Sequence, residues 1–232
     1  MRKLFLSISL FLIILEGLQA QRTSFRRNGL ITQKPEITSL VTLAAGPAIC
    51  LGEAGSSFQT TNGFHNYNIE LGYKRSIADN LCVKATFEYG NYYGTDNNSH
   101  LSYRSFSNNA NVFGLSARAE YSYLFGPRFR RVKLNSVYAF LGAGVFDSSN
   151  QFSGPNPHYM QDRMILEGNA FGAFIPYGIG YQRQINRQFY VGGEFSSQYA
   201  FSDYVDGAHS IHYSKSNDVL MGFKFTLAYS LF

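Results

Sequence analysis

A chain of 232 residues with 45% hydrophobic residues permits one large domain or two small ones. Charged residues make up only 15%, too few for the usual coat of a soluble surface, while 17 Tyr, 21 Phe and 22 Gly stand beside no Trp at all. The formal net charge is +5, and no run after the N-terminus reaches the roughly 18 apolar residues that mark a membrane-spanning helix.

The N-terminus reads as a secretory signal. Arg2 and Lys3 precede the apolar run Leu4–Leu15, and small residues return by Ala20, after which cleavage is expected. The next residue is Gln21 rather than Cys, which argues against lipoprotein processing. Residues 21–36 lack periodicity and carry Arg22, Arg26, Arg27 and Lys34, so they form a basic tail ahead of the first strand.

The remainder, 37–232, is read as strands. The first, about Ile37–Ile49, has faces blurred by small residues and by Pro47. The second alternates Tyr67, Ile69, Leu71 and Tyr73 against Asn68, Glu70, Gly72 and Lys74. After the short turn Ala78-Asp79-Asn80, the third sets Leu81, Val83, Ala85, Phe87 and Tyr89 against Cys82, Lys84, Thr86, Glu88 and Gly90. A polar loop is expected over 94–109. The fourth strand presents Phe113, Leu115, Ala117, Ala119, Tyr121 and Tyr123 outward, and Gly114, Ser116, Arg118, Glu120 and Ser122 inward.

An Arg-rich connection spans Phe125–Asn135. The fifth strand, Val137–Phe146, does not reveal its faces, and a long loop is expected over 147–169. The sixth carries Phe171, Ala173, Ile175, Tyr177, Ile179 and Tyr181 on one side. Past Ile185-Asn186-Arg187, the seventh sets Phe189, Val191, Phe195 and Tyr199 against Tyr190, Gly192, Glu194, Ser196 and Gln198. A loop over 201–218 leads to the clearest strand of all. There Phe223, Phe225, Leu227, Tyr229 and Leu231 face one way, and Lys224, Thr226, Ala228 and Ser230 the other.

Eight segments joined by alternating long and short connections predict an all-β, eight-stranded antiparallel transmembrane barrel of the outer-membrane type. A soluble secreted barrel or sandwich shares the periodicity. Tyr and Phe clustered near strand ends, the shortage of surface charge and the aromatic C-terminus favour the membrane form. With the N-terminus periplasmic, the C-terminus is periplasmic too.

The stretches Arg104–Leu124, Ile175–Phe195 and Ser202–Gly207 resemble a family of outer-membrane β-barrels of Bacteroidota, and within it the PorG type of the type IX secretion system. The resemblance runs from about the first strand to Phe232. It implies a barrel component that associates with the periplasmic ring formed by PorK and PorN.

The inward set holds Glu70, Glu88, Glu120 and Glu194 with Lys74, Lys84, Arg118 and Lys224. A small barrel has room only for side chains in its interior, so these charges are expected to pair into a plug. A gated ion path is the sharper alternative. His209 and His212, with Asp203 and Asp206, read as a solvated loop face rather than a metal site. No nucleophile motif or phosphate-binding loop appears, and the chain reads as a non-enzyme without a cofactor.

The basic residues gather at the expected periplasmic end, where Arg128, Arg130, Arg131 and Lys133 are read as a docking turn for an acidic partner. Arg75, Arg183 and Arg187 join them. Cys50 and Cys82 fall at opposite ends of the barrel and are not expected to bond to each other. Cys82, at the periplasmic mouth, is a candidate for an intermolecular disulfide, with space-filling under the turn as the equal alternative. Two function classes stay open: a barrel that anchors a periplasmic ring, and a stand-alone barrel that acts through its outer loops.

Overall fold

The computed structural model describes residues 39–51, 66–78, 80–95, 107–125, 135–153, 164–166, 168–186, 188–202, 205, 208–210 and 217–231. The expected signal and basic segment, 1–36, lie outside these. Ten strands follow in chain order: β1 Ser39–Leu51, β2 Tyr67–Ala78, β3 Leu81–Thr95, β4 Ser107–Phe125, β5 Asn135–Ser153, β6 Met164–Leu166, β7 Asn169–Gln184, β8 Phe189–Ala200, β9 Ala208–Ser210 and β10 Val219–Ser230. Eight of them close into an antiparallel barrel in the order β1-β10-β8-β7-β5-β4-β3-β2. β6 and β9 pair separately as a two-stranded sheet.

Closure depends on β1 and β10, which carry opposite ends of the sheet together from Leu40↔Ser230 to Leu51↔Val219. The ladder is interrupted between Ala45↔Phe225 and Ala48↔Gly222, where Pro47 has no N–H to give. A closed sheet leaves no edge of unpaired backbone groups, which is what a hydrocarbon surround demands.

Alternation decides the two faces. Outward positions carry exposed apolar groups, among them Leu43, Leu71, Phe87, Leu115, Leu141, Ile179 and Phe225. Aromatic residues bound this band at both levels. At the loop end Tyr89 stacks between Tyr67 (6.1 Å) and Phe113 (4.9 Å). At the short-turn end Phe189 packs on Tyr229 at 5.2 Å, and the Tyr181 hydroxyl donates to Asn135 Oδ1 at 2.8 Å. Amphipathic rings of this kind suit a membrane–water boundary.

The face left open for the fifth strand is resolved. Tyr138, Phe140 and Phe146 are buried inside, whereas Val137, Leu141 and Val145 are exposed outside. Bulky side chains stand on both faces here, so hydrophobicity alone carried no parity signal. The inward rings are accommodated by glycines on β7: a Cβ on Gly178 would lie 2.7 Å from Phe140 Cζ, and one on Gly180 would collide with the Tyr138 ring. β1 likewise turns Leu40, Thr42, Ala44 and Ala48 inward.

Two loops expected from the sequence are shorter than anticipated, and a third contains a short strand. β3 continues to Thr95 and β4 begins at Ser107, within the expected loop 94–109. β5 runs on to Ser153, and β6 falls inside the expected loop 147–169. β9 lies within 201–218. Polar residues dominate both faces of the β3, β4 and β5 extensions, so the hydrophobic alternation fades although backbone pairing persists.

Candidate functional site: the filled lumen and its two rims

The interior divides into two layers. Toward the short-turn end lie the charges. Glu70, Glu120, Glu194 and Lys224 are at most 1% exposed, and Lys74, Lys84, Glu88 and Arg118 are also buried. Lys224 lies directly opposite Glu194, but several other cross-strand neighbours are of like sign: Glu70 opposes Glu88, while Lys74, Lys84 and Arg118 form one row. Like charges placed directly opposite destabilise a sheet. The long side chains resolve this by reaching to other levels. Lys84 passes over Gly72, where a Cβ would stand 2.5 Å from its Cε, and meets Glu70 Oε1 at 2.5 Å. Lys224 approaches Glu70 Oε2 at 2.5 Å from β10, across the intervening β1.

Arg118 is the centre of the layer. Its Nε donates to Glu120 Oε1 at 3.0 Å, and its Nη1 and Nη2 donate to the two oxygens of Glu194 at 3.0 and 2.6 Å. A fork donating to both oxygens of one carboxylate is the strongest form of such a pair. The guanidinium also lies 4.0 Å from the centre of the Phe140 ring, and the Tyr138 hydroxyl donates to Glu194 Oε2 at 3.0 Å. Lys74 completes the set on Glu120 Oε2 at 2.6 Å. Among the described residues, three carboxylates thus hold four cations in one connected network.

Glu88 stands apart. Gln198 Nε2 donates to its Oε2 at 2.7 Å, but its Oε1 has no hydrogen-bond partner among the described residues. It sits where the charged layer meets an apolar one, beside a small cavity lined by Asn68, Tyr92, Ser196, Gln198, Leu220 and Lys224. Tyr138, Phe140 and Gln198 were not singled out from the sequence. The first two lie on the strand whose faces the pattern concealed, and Gln198 was seen only as an inward residue.

Above Glu88 the lumen is filled by Ala48, Tyr92, Val112, Phe146, Phe174 and Leu220, with Phe146 and Phe174 rings 6.4 Å apart. Val205, from the segment between β8 and β10, is only 1% exposed and belongs to this layer. Its N–H donates to Asp218 Oδ2 at 2.8 Å. A residue of that connection is therefore built into the apolar layer.

At the rims, Arg75 and Arg183 lie at the short-turn end on β2 and β7. Arg128, Arg130, Arg131, Lys133 and Arg187 lie outside the described residues, as do His212, Asp203 and Asp206. Cys82 is half-buried opposite Ser76 and Glu120 near that rim. Cys50 pairs with Leu220 at the other end of the barrel, and no disulfide joins the two.

No protein-family model matches the sequence, and no curated protein matches it. Solved structures do. A major outer membrane protein of Thermus thermophilus superposes with a TM-score of 0.52 at 12% identity, over 84% of this chain and all of that one. The fold is that of an outer-membrane β-barrel. Ail of Yersinia pestis (TM-score 0.45, 14% identity, 84% of this chain and 98% of that one) and the neisserial surface protein NspA (0.45, 12%, 82% and 96%) are also similar.

Proposed function

We propose that this chain is a non-enzymatic outer-membrane barrel of the PorG type, holding the periplasmic PorK/PorN ring of a type IX secretion apparatus at the membrane. The observation that carries the reading is the lumen. It is filled along its length, by a connected charge network and then by an apolar layer, so the barrel's business lies on its surfaces rather than in a channel. Orientation with the short turns in the periplasm puts both chain ends, Arg75, Arg183 and the basic turn Arg128–Lys133 on the side of the ring. A positive rim steers and orients an acidic partner. The resemblance of 104–124, 175–195 and 202–207 supports the same partner.

The test is a mild-detergent purification of tagged protein. PorK and PorN are expected to co-purify, and neutralising Arg128, Arg130, Arg131 and Lys133 together is expected to release them while the barrel remains heat-modifiable on gels. Unchanged co-purification and secretion would refute the docking role. On non-reducing gels, a partner-sized shift lost in Cys82→Ser but kept in Cys50→Ser would assign Cys82 to that contact. The second reading, a stand-alone barrel acting through its outer loops, draws on the strands that run past the apolar band at the loop end. Replacing 96–106 and 154–163 by short turns is expected to spare the first function and abolish the second.

A further inference from the structure

Beyond the loop-end tyrosines the barrel wall does not stop evenly. β2 begins at Tyr67, opposite Asn91, and β7 begins at Asn169, opposite Ser149. Between them β3, β4 and β5 stay paired up to Thr95, Ser107 and Ser153. Among the described residues, a three-stranded wall therefore rises from Asn91 to Thr95 and from Ser149 to Ser153, about 13 Å along the strands.

Its outward rows change chemistry within one step. Tyr89, Phe113 and Asp147 are neighbours at the foot of the wall. The next row is Asn91, Asn111 and Ser149, and the row above is Tyr93, Asn109 and Gln151. These rows carry no Lys or Arg, and their single formal charge is the carboxylate of Asp147.

The amides are held in place before any ligand arrives. Asn91 Nδ2 donates to Asn109 Oδ1 at 2.8 Å and to Asn111 Oδ1 at 2.9 Å, and the Tyr89 hydroxyl donates to Asn111 Oδ1 at 2.8 Å. Tyr93 is clamped through its backbone: its N–H donates to Asn66 Oδ1 at 2.6 Å, and Asn66 Nδ2 donates to its carbonyl at 3.2 Å.

We infer that this wall binds the saccharide headgroup of a glycolipid in the leaflet surrounding the loop end. The inference rests on the proposed orientation, in which that leaflet is the outer one. Each sugar hydroxyl is both donor and acceptor, and a carboxamide offers two donors and an acceptor, so an amide lattice matches a polyol without any charge. The exposed Tyr67 and Tyr93 add apolar ring surface with a polar tip, suited to the C–H face of a sugar. Side chains already fixed by hydrogen bonds lose little freedom on binding. With no Lys or Arg and with the Asp147 carboxylate at its foot, the wall offers no cation to a lipid phosphate, which favours the sugar over a phospholipid headgroup. The wall also faces sideways, directly above the aromatic belt. What lies against it is a neighbouring lipid's headgroup, not a solute entering the mouth.

The test uses the full mature chain in detergent, with bound lipid read by native mass spectrometry. The probes are lipopolysaccharide bearing its core saccharide, lipid A without that core, and phosphatidylglycerol. The core-bearing lipid is expected to be retained about tenfold more strongly than lipid A, in low and high salt alike. Asn91→Ala, Asn109→Ala and Asn111→Ala together should reduce retention to that of lipid A, with the heat-modifiable band unchanged. If the triple variant does not fold, Asn109→Ala alone, on the upper row, should still weaken retention. Equal retention of lipid A, loss of binding in high salt, or full retention by a folded variant would overturn the inference. A dimer that the triple variant dissolves, without glycolipid preference, would assign the wall to a second copy instead. Labelling of Asn109→Cys by an impermeant maleimide on whole cells checks the orientation separately. None of these readouts involves PorK, PorN or secretion, so failure here leaves the anchoring role standing.

Discussion

The two halves of the lumen solve the same problem, an interior too narrow to leave open, with opposite chemistry. The charged half is held by a few directional contacts, each of which needs its partner at a defined place. The apolar half is held by contact area and tolerates any filling of the right volume. Removing a member of the first leaves buried charge uncompensated. Removing a member of the second leaves a cavity. The charged half is also built entirely from strands, whereas the apolar half includes Val205 from a connecting segment. The difference teaches that strand residues alone hold the charged layer, while the apolar layer also draws on a residue from a connection.

Three substitutions and their combinations test that contrast, measured by denaturant unfolding of the barrel in lipid vesicles. Arg118→Met should have the largest effect, about 3–5 kcal/mol, because Glu194 and Glu120 lose the donor that holds both. Phe174→Ala should cost about 3 kcal/mol, and the loss should be insensitive to salt. Tyr138→Phe removes one hydrogen bond to a carboxylate and should cost about 1.5–3 kcal/mol. The smallest quantity is the most discriminating. If the layers are independent, Arg118→Met and Phe174→Ala should add within about 0.5 kcal/mol, whereas Arg118→Met and Tyr138→Phe, which share Glu194, should not. Strong coupling across the layers would dissolve the distinction.

What could be read from the sequence follows the same physics. Where hydrocarbon touches one face and packed polar groups the other, as in β4 with Leu115 against Ser116 and Tyr121 against Glu120, alternation is unambiguous and both strand and facing are legible. β5 defeats the method because Tyr138 and Phe140 inside are as bulky as Leu141 outside. The upper wall defeats it for the converse reason: Asn108 and Asn109 differ in facing but not in polarity. The eight interior charges were legible by parity alone. Which charge meets which was not, since Lys84 reaches Glu70 past a glycine rather than across the nearest rung. The phenol and amide that complete the layer were illegible because nothing in their own neighbourhood marks them.

The seam between β1 and β10 carries a consequence for how the chain is made. Every other strand pairing in the barrel joins strands near each other in sequence, so a meander of paired strands can form as synthesis and export proceed. The seam joins the beginning of the barrel to its end, with almost the whole sheet looped out between, and Pro47 interrupts its ladder. Loop closure over that span is the slowest kind of contact to form. Until it does, the molecule is an open ribbon with two sticky margins, the state most prone to self-association. Loss of the last strand would therefore not yield a slightly smaller barrel but a chain with no finished state at all, and escorts that shield β1 should be needed for as long as β10 is absent.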